Sequence, residues 1–250
     1  MKHEGKYIYG IIATDEAPNF GPMGIGGHHD EVTTIGIKGL AAVVSNASMD
    51  HYVLSRDNFT AHTKVIEKIM ESHTVLPTRF CTVAETADEV ISFLEKNSRG
   101  LKNELKKIDG KVEVDIKIAW KEMKKIYEEI AKENKKIREV KAQGTVKDQR
   151  SLIHIGELVA AALEEKKTAE GEEYLRPIKK AAKDFSQMET KGDTMVVHAA
   201  FLVEKGWLKE FDTVVEKLGN DFGNRIQIHY VGPLPPFSFV NLQLREEEQR

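Results

Sequence analysis

Residues Lys111-Val112-Glu113-Val114-Asp115-Ile116-Lys117-Ile118 alternate charged and apolar side chains over eight positions. A period of two belongs to a strand with one face in a core and the other in water. The chain must therefore build a sheet, with Val112, Val114, Ile116 and Ile118 inward and Lys111, Glu113, Asp115 and Lys117 on the wet face. Gly110, just before this run, closes a preceding helix.

Upstream, Tyr7 to Ala13 is aromatic and β-branched and ends in a Pro/Gly loop from about Thr14 to Asp30, which reads as a buried strand. Val32 to Ile37 and Leu40 to Ser45 flank Lys38-Gly39, the pattern of a tight hairpin. From Asp57 to Ser72, Phe59, Val65, Ile66, Ile69 and Met70 recur at helical spacing and predict an amphipathic helix docked on that sheet. Val75 to Val83 predicts another strand, limited by Pro77. Thr86 with Glu89 forms a capping box, and the helix it starts runs through Ile108 with a break expected near Gly100. This order predicts an α+β fold whose first domain, residues 1–120, has modified ferredoxin-like character with an extra hairpin after its first strand.

From Lys121 to Gln143, Met123, Ile126, Ile130, Ile137 and Val140 keep a seam among Lys and Glu, predicting one long, partly exposed helix ended by Gly144. A second helix, with Leu152, Ile155, Val159 and Leu163 on one side, folds back on it, and a third is expected over Glu172 to Phe185, started or kinked by Pro177. Thr194 to Val203 is apolar on both faces, a central strand covered on two sides. Trp207, Phe211, Val214, Val215 and Leu218 mark a helix ending at Gly219, and Arg225 to Val231 a strand that Gly232-Pro233-Leu234-Pro235-Pro236 stops. A second domain, 121–250, is thus expected, with a helical hairpin over 121–186, a strand-helix-strand unit over 193–245 and a frayed tail from Glu246.

The chain of 250 residues is 40% hydrophobic and 31% charged, with a formal net charge of −3, so it is globular and has no bulk attraction for nucleic acid. Cys81 is the only cysteine, which rules out an intrachain disulfide and a thiolate zinc cage and suits a reducing, cytoplasmic setting. No apolar run reaches the ~20 residues needed to cross a bilayer, so no membrane partner is expected.

Reaction chemistry is hard to find. Gly24 to Glu31 places His28 and His29 beside Asp30 and Glu31, a candidate divalent-metal loop and the basis of a metal-dependent enzyme reading. The spacing matches no ligand motif, however, and reads as a solvated loop. Its glycines lack the Gly-Lys-Ser/Thr ending of a phosphate cradle. Cys81 with His62 or His73 would make a nucleophile pair only if the fold joined them; a small apolar core residue is the plainer reading. His198, inside an apolar strand, reads as a hydrogen-bonded core histidine, and the Val112–Ile118 strand lacks the aromatic platform of an RNA-binding sheet. The expected catalytic, metal and cofactor sets are empty.

Four segments together resemble the gas vesicle protein F/L family (GvpF/GvpL): Tyr7 to Gly10, Leu76-Pro77-Thr78-Arg79-Phe80-Cys81-Thr82-Val83, Gly110 to Ile118, and Gly232-Pro233-Leu234-Pro235-Pro236-Phe237-Ser238-Phe239-Val240. Cys81 stands where that family usually has glycine, and Leu234 where tryptophan is common. The resemblance implies a two-domain, non-enzymatic protein required for gas vesicle formation. It further implies binding to the major gas vesicle shell protein, limiting its aggregation before nucleation, and residence on the gas-facing side of the shell. An adaptor that binds other accessory gas vesicle proteins through Lys121 to Lys141 is the competing expectation. Partner contacts are expected at Arg79 and Phe80, on the charged face of Glu113 and Lys117, and at the Pro235-Pro236-Phe237 turn.

Overall fold

A computed structural model describes residues 4–27, 30–48, 52–142 and 149–242. His28 and His29, the expected helix end at Gly144 and the tail from Glu246 lie outside the described residues. The fold is α+β, as expected, and divides into two compact units, Met1–Glu113 with Gly232–Arg250, and Val114–Val231. Contiguous domains, 1–120 and 121–250, were the sequence expectation; the tail instead joins the first unit, where Glu113 holds its turn.

The first unit centres on β1 (Glu4–Ile12), paired with β4 (Leu40–Ser48) on one side and with β5 (Val75–Pro77) and β6 (Val83–Ala84) on the other. Beyond β4 come β3 (Glu31–Ile37) and the short β2 (Gly21–Pro22). The β3–β4 hairpin turns through Lys38 and Gly39, at φ 53° and 80°, the two left-handed positions of a type I′ turn. A register shift between Ile8 and Gly10 resets the pleat, so Tyr7, Tyr9 and Ile12 share one face. That face packs on Val65, Ile66 and Ile69 of α1 (Arg56–Met70), while α2 (Ala87–Ile108) crosses β3, β4, β1, β5 and β6. Ile8 and Ile11, equally buried, point the other way, so β1 is enclosed on both sides. Gly10 is required by crowding: a Cβ there would lie 2.7 Å from the Leu76 carbonyl oxygen.

Thr86 caps α2 as expected, accepting from the Glu89 amide, but the Glu89 carboxylate reaches the Glu85 amide. No break occurs at Gly100, because Val90, Leu94, Leu101, Leu105 and Ile108 bury one continuous stripe across it. The expected strand over 75–83 is split into β5 and β6 by a turn in which Cys81 adopts φ 66°. That is the left-handed region, which glycine enters without the steric cost a Cβ brings.

In the second unit β7 (Lys111–Trp120), which enters from the first, leads to α3 (Met123–Glu133), α4 (Lys135–Ala142) and α5 (Gln149–Ala181). Then follow β8 (Asp184–Gln187), β9 (Met195–Glu204), α6 (Leu208–Phe222) and β10 (Ile226–Leu234). The sheet order is β10-β7-β9-β8. Strand-helix-strand-strand-helix-strand connectivity with that order is the ferredoxin-like arrangement. The sequence reading expected this character in residues 1–120; its connectivity appears in the second unit.

Two helical expectations change. The single helix over 121–143 breaks at Asn134, whose extended backbone stops α3 and whose Oδ1 accepts the Ile137 amide to start α4. The two helices expected over 152–185 are one, α5, running through Gly171 and Pro177 up to Ala181. Burial of Leu163, Tyr174, Leu175 and Ile178 outweighs the lost bond at Pro177. Strand β10 continues to Leu234 through Pro233, a place a proline tolerates because β10 is the edge of its sheet.

Candidate functional site

Ser55 starts α1: its Oγ accepts the Asn58 amide, while the Asn58 side chain returns to the Val53 carbonyl. Together with the Ser55 amide, which donates to the same Val53 carbonyl at 2.8 Å, these bonds fix the two residues before the cap in a tight turn. Leu54 and Phe59 then occupy the positions of a hydrophobic staple. Even so, Val53 is 75% exposed, Leu54 74% and Phe59 48%. Phe59 lies 6.3 Å from the Phe80 ring, and Phe80 and Phe237 pack, half-buried, against the core below. The result is an apolar patch of Phe59, Phe80 and Phe237 on the first unit, with exposed Val53 and Leu54 shortly before Phe59 in the chain and exposed Arg79 next to Phe80, its guanidinium donating to Asn241 Oδ1 at 3.1 Å.

Beneath the patch lies His62, fully buried, its ring 5.9 Å from Phe80, 6.3 Å from Phe237 and 5.8 Å from Tyr9. Nε2 sits 3.2 Å from the Thr78 carbonyl oxygen, which only accepts, so Nε2 carries the proton and donates. Nδ1, 3.0 Å from the Tyr7 hydroxyl, then accepts from it, and that oxygen accepts in turn from the Cys81 amide at 2.9 Å. Burial drives the His62 pKa down to about 4, against the bond to Thr78, which favours protonation. The Tyr7 and Tyr9 hydroxyls are pushed up by burial as well. A neutral chain of donors and acceptors thus ties α1 to the β5–β6 turn. Both imidazole nitrogens are engaged, which removes the chemical basis for a Cys81–His62 nucleophile pair.

The predicted contact residues divide. Arg79 is exposed, and Phe80 and Phe237 are half-buried within the patch. Pro235 and Pro236 are buried and shape the turn that presents Phe237. Glu113 corrects the expected wet face of its strand: it is 5% exposed, and its two carboxylate oxygens accept from the Ser238 amide at 2.7 Å and the Ser238 hydroxyl at 2.8 Å. Lys117 belongs to the second unit and pairs with Asp115 at 3.6 Å. Sequence reading missed Val53, Leu54 and the exposure of Phe59; the legible signal was an apolar run immediately before a serine cap.

His198, half-buried, donates through Nε2 to Asp115 Oδ2 at 3.1 Å. Among the described residues no three His, Cys, Asp or Glu side chains gather around a metal-sized space, and no helix is long and apolar enough to cross a membrane.

The family model described as gas vesicle synthesis protein GvpL/GvpF matches residues 5–241. The chain is 28% identical to gas vesicle protein F of Microcystis aeruginosa over 95% of its length and 98% of that protein. With gas vesicle protein F of a Nostoc species it shares 26% identity over 95% and 98% of the two chains. The crystal structure of GvpF from an Anabaena species superposes with a TM-score of 0.82 at 25% identity, covering 96% of this chain and 99% of that one. That of GvpF from Microcystis aeruginosa gives 0.78 at 27%, covering 95% and 99%. With this agreement of sequence and fold along nearly its whole length, the chain belongs to the gas vesicle synthesis protein GvpL/GvpF family.

Proposed function

We propose that the chain acts in gas vesicle formation by holding the major shell protein before it joins the growing shell, and that the Val53, Leu54, Phe59, Phe80 and Phe237 patch does the holding. The observation that carries this reading is the patch itself: aliphatic and aromatic side chains left in water at and just before the start of α1, with buried His62 packed beneath Phe80 and Phe237. Apolar surface concentrated in this way marks an interaction site, and rigid anchors lose little entropy on binding. An apolar, aggregation-prone partner is the complementary surface. The family consists of gas vesicle accessory proteins, and the reading requires no reaction. A location beside the shell, on its gas-facing side, is part of the same proposal.

Light scattering by purified shell protein diluted from denaturant tests the proposal. Equimolar chain is expected to suppress scattering, and undiminished scattering at a several-fold excess of chain would sink the idea. The adaptor reading has one observation in its favour, the exposed lysines Lys124, Lys125, Lys132, Lys135 and Lys136 along α3 and α4. Reversing those charges removes accessory-protein binding on that reading and spares shell-protein binding.

A further inference from the structure

The second unit carries a different opening, a groove of about 470 Å³ between α6 and the edge strand β10. Val215, Gly219 and Ile228 form its floor, with Tyr230 at one end, where the Tyr230 hydroxyl donates to Asp212 Oδ1 at 2.6 Å. Asp212 and Glu216 line the helix side, Asn220 is neutral, and no cation lines the groove. Lys209 falls one turn earlier on α6, before Asp212.

The strand side is equally specific. The Lys121 amide donates to the Arg225 carbonyl, which fixes the side of β10 that faces β7. In an antiparallel ladder a residue's N–H and C=O point the same way and alternate along the strand. The backbone groups of Ile228 and Tyr230 therefore face the open edge, beside the groove that their side chains line. An extended peptide is the ligand that satisfies both halves, pairing with the edge while alternate side chains enter the apolar floor. A helix would leave the edge groups unpaired.

We propose that the α6–β10 groove binds an extended segment of a partner protein, added as a further strand on β10, in which one residue facing the groove is apolar and the next one facing it, two positions on, is lysine or arginine. The basic residues answer Asp212 and Glu216; the apolar ones fill the space over Gly219.

A fluorescein-labelled nonapeptide with valine and lysine in turn at its odd positions and threonine at its even ones, so that both types share one face of the strand, is titrated into the full chain and followed by anisotropy to test this. Saturable binding is expected, at least tenfold tighter than for the same peptide with glutamate in place of lysine. Gly219→Leu, which fills the groove at a helical position, is expected to weaken binding at least tenfold, and Glu216→Lys to narrow or reverse the preference for lysine. Each variant's circular dichroism and melting temperature establish that it is folded. Hydrogen exchange at the Ile228 and Tyr230 amides should slow when the peptide binds. Equal binding of both peptides, binding unaffected by Gly219→Leu, or binding without protection at those amides overturns the proposal. The groove lies in the second unit and the proposed shell-protein surface in the first, so failure here leaves suppression of scattering intact, and the reverse.

Discussion

Each unit is tied by a polar cluster, buried in the first and partly exposed in the second, and the two are built on opposite principles. In the first unit the Cys81 amide, Tyr7, His62 and Thr78 form a chain of neutral hydrogen bonds among aromatic rings. The second uses charge. Arg225 donates to both carboxylate oxygens of Glu129, at 2.8 and 2.7 Å, and to both of Glu170, at 2.9 and 2.6 Å. Trp120 and Tyr174 add bonds to Glu170, and Lys166 sits 3.1 Å from Glu129. The arrangement clasps α3 and α5 to the start of β10. A neutral cluster is insensitive to salt and lends itself to bracing an apolar surface, whereas a charged one resists separation of the elements it joins.

The largest expected effect tests the clasp. Arg225→Met leaves Glu129 and Glu170 facing each other without their shared cation, and should cost about 3 kcal/mol, since four charge-assisted hydrogen bonds to partly buried carboxylates are lost together. Urea unfolding followed by tryptophan fluorescence measures it, because both tryptophans, Trp120 and Trp207, lie in the second unit.

Acid separates the two clusters. His62 has a folded pKa of about 4, below its ordinary 6.5, so the unfolded state takes up a proton that the folded state refuses. Stability of the first unit should fall as the pH drops from 6.5 towards 4, by on the order of 3 kcal/mol, and level off below. The Arg225 bond, with help from Lys166, overcomes partial burial and holds Glu129 at about 2, below its ordinary 4.5; the support Glu129 gives is present above 4.5 and lost as the pH falls towards 2. Tyrosine signals of the first unit should therefore melt at a higher pH than tryptophan signals of the second, and His62→Phe should remove the earlier step. Coincident acid transitions would erase the contrast.

Tyr7→Phe is a smaller probe of the neutral chain. Without the hydroxyl, the Cys81 amide and His62 Nδ1 lose their partner, for about 1–2 kcal/mol in thermal unfolding. Leu54→Ser should be the mildest, within about 0.5 kcal/mol, because the side chain is 74% exposed. A large loss there would make the residue a packing element of α1 and count against its role in a surface.

What the amino-acid order made legible follows from how local each signal is. The β7 alternation, the Lys38-Gly39 turn and the Thr86 cap depend on neighbours within a few residues, and all three appear in the structure. Glu113 was placed in water by the same alternation, since nothing nearby in sequence announces that Ser238, 125 residues on, satisfies both its oxygens. The continuity of α5 through Gly171 and Pro177 is likewise decided by distant residues, since Tyr174, Leu175 and Ile178 share one core with Val197 and Phe201. His62 gave no more than a histidine in a helical stripe, because its two partners lie 55 and 16 residues away. In the proposed surface, Phe80 and Phe237 were legible through the family resemblance. Phe59 was read as core because helical periodicity identifies a side of the helix and says nothing of where the cover over that side ends.

Capture of the purified major shell protein by the immobilised full chain, compared with a Leu54→Ser/Phe59→Ser variant of matched melting temperature, bears most directly on the claim that the first unit's patch holds that partner. The intact chain should retain the shell protein, and the paired substitution should reduce retention at least tenfold. Equal retention by both would contradict the account.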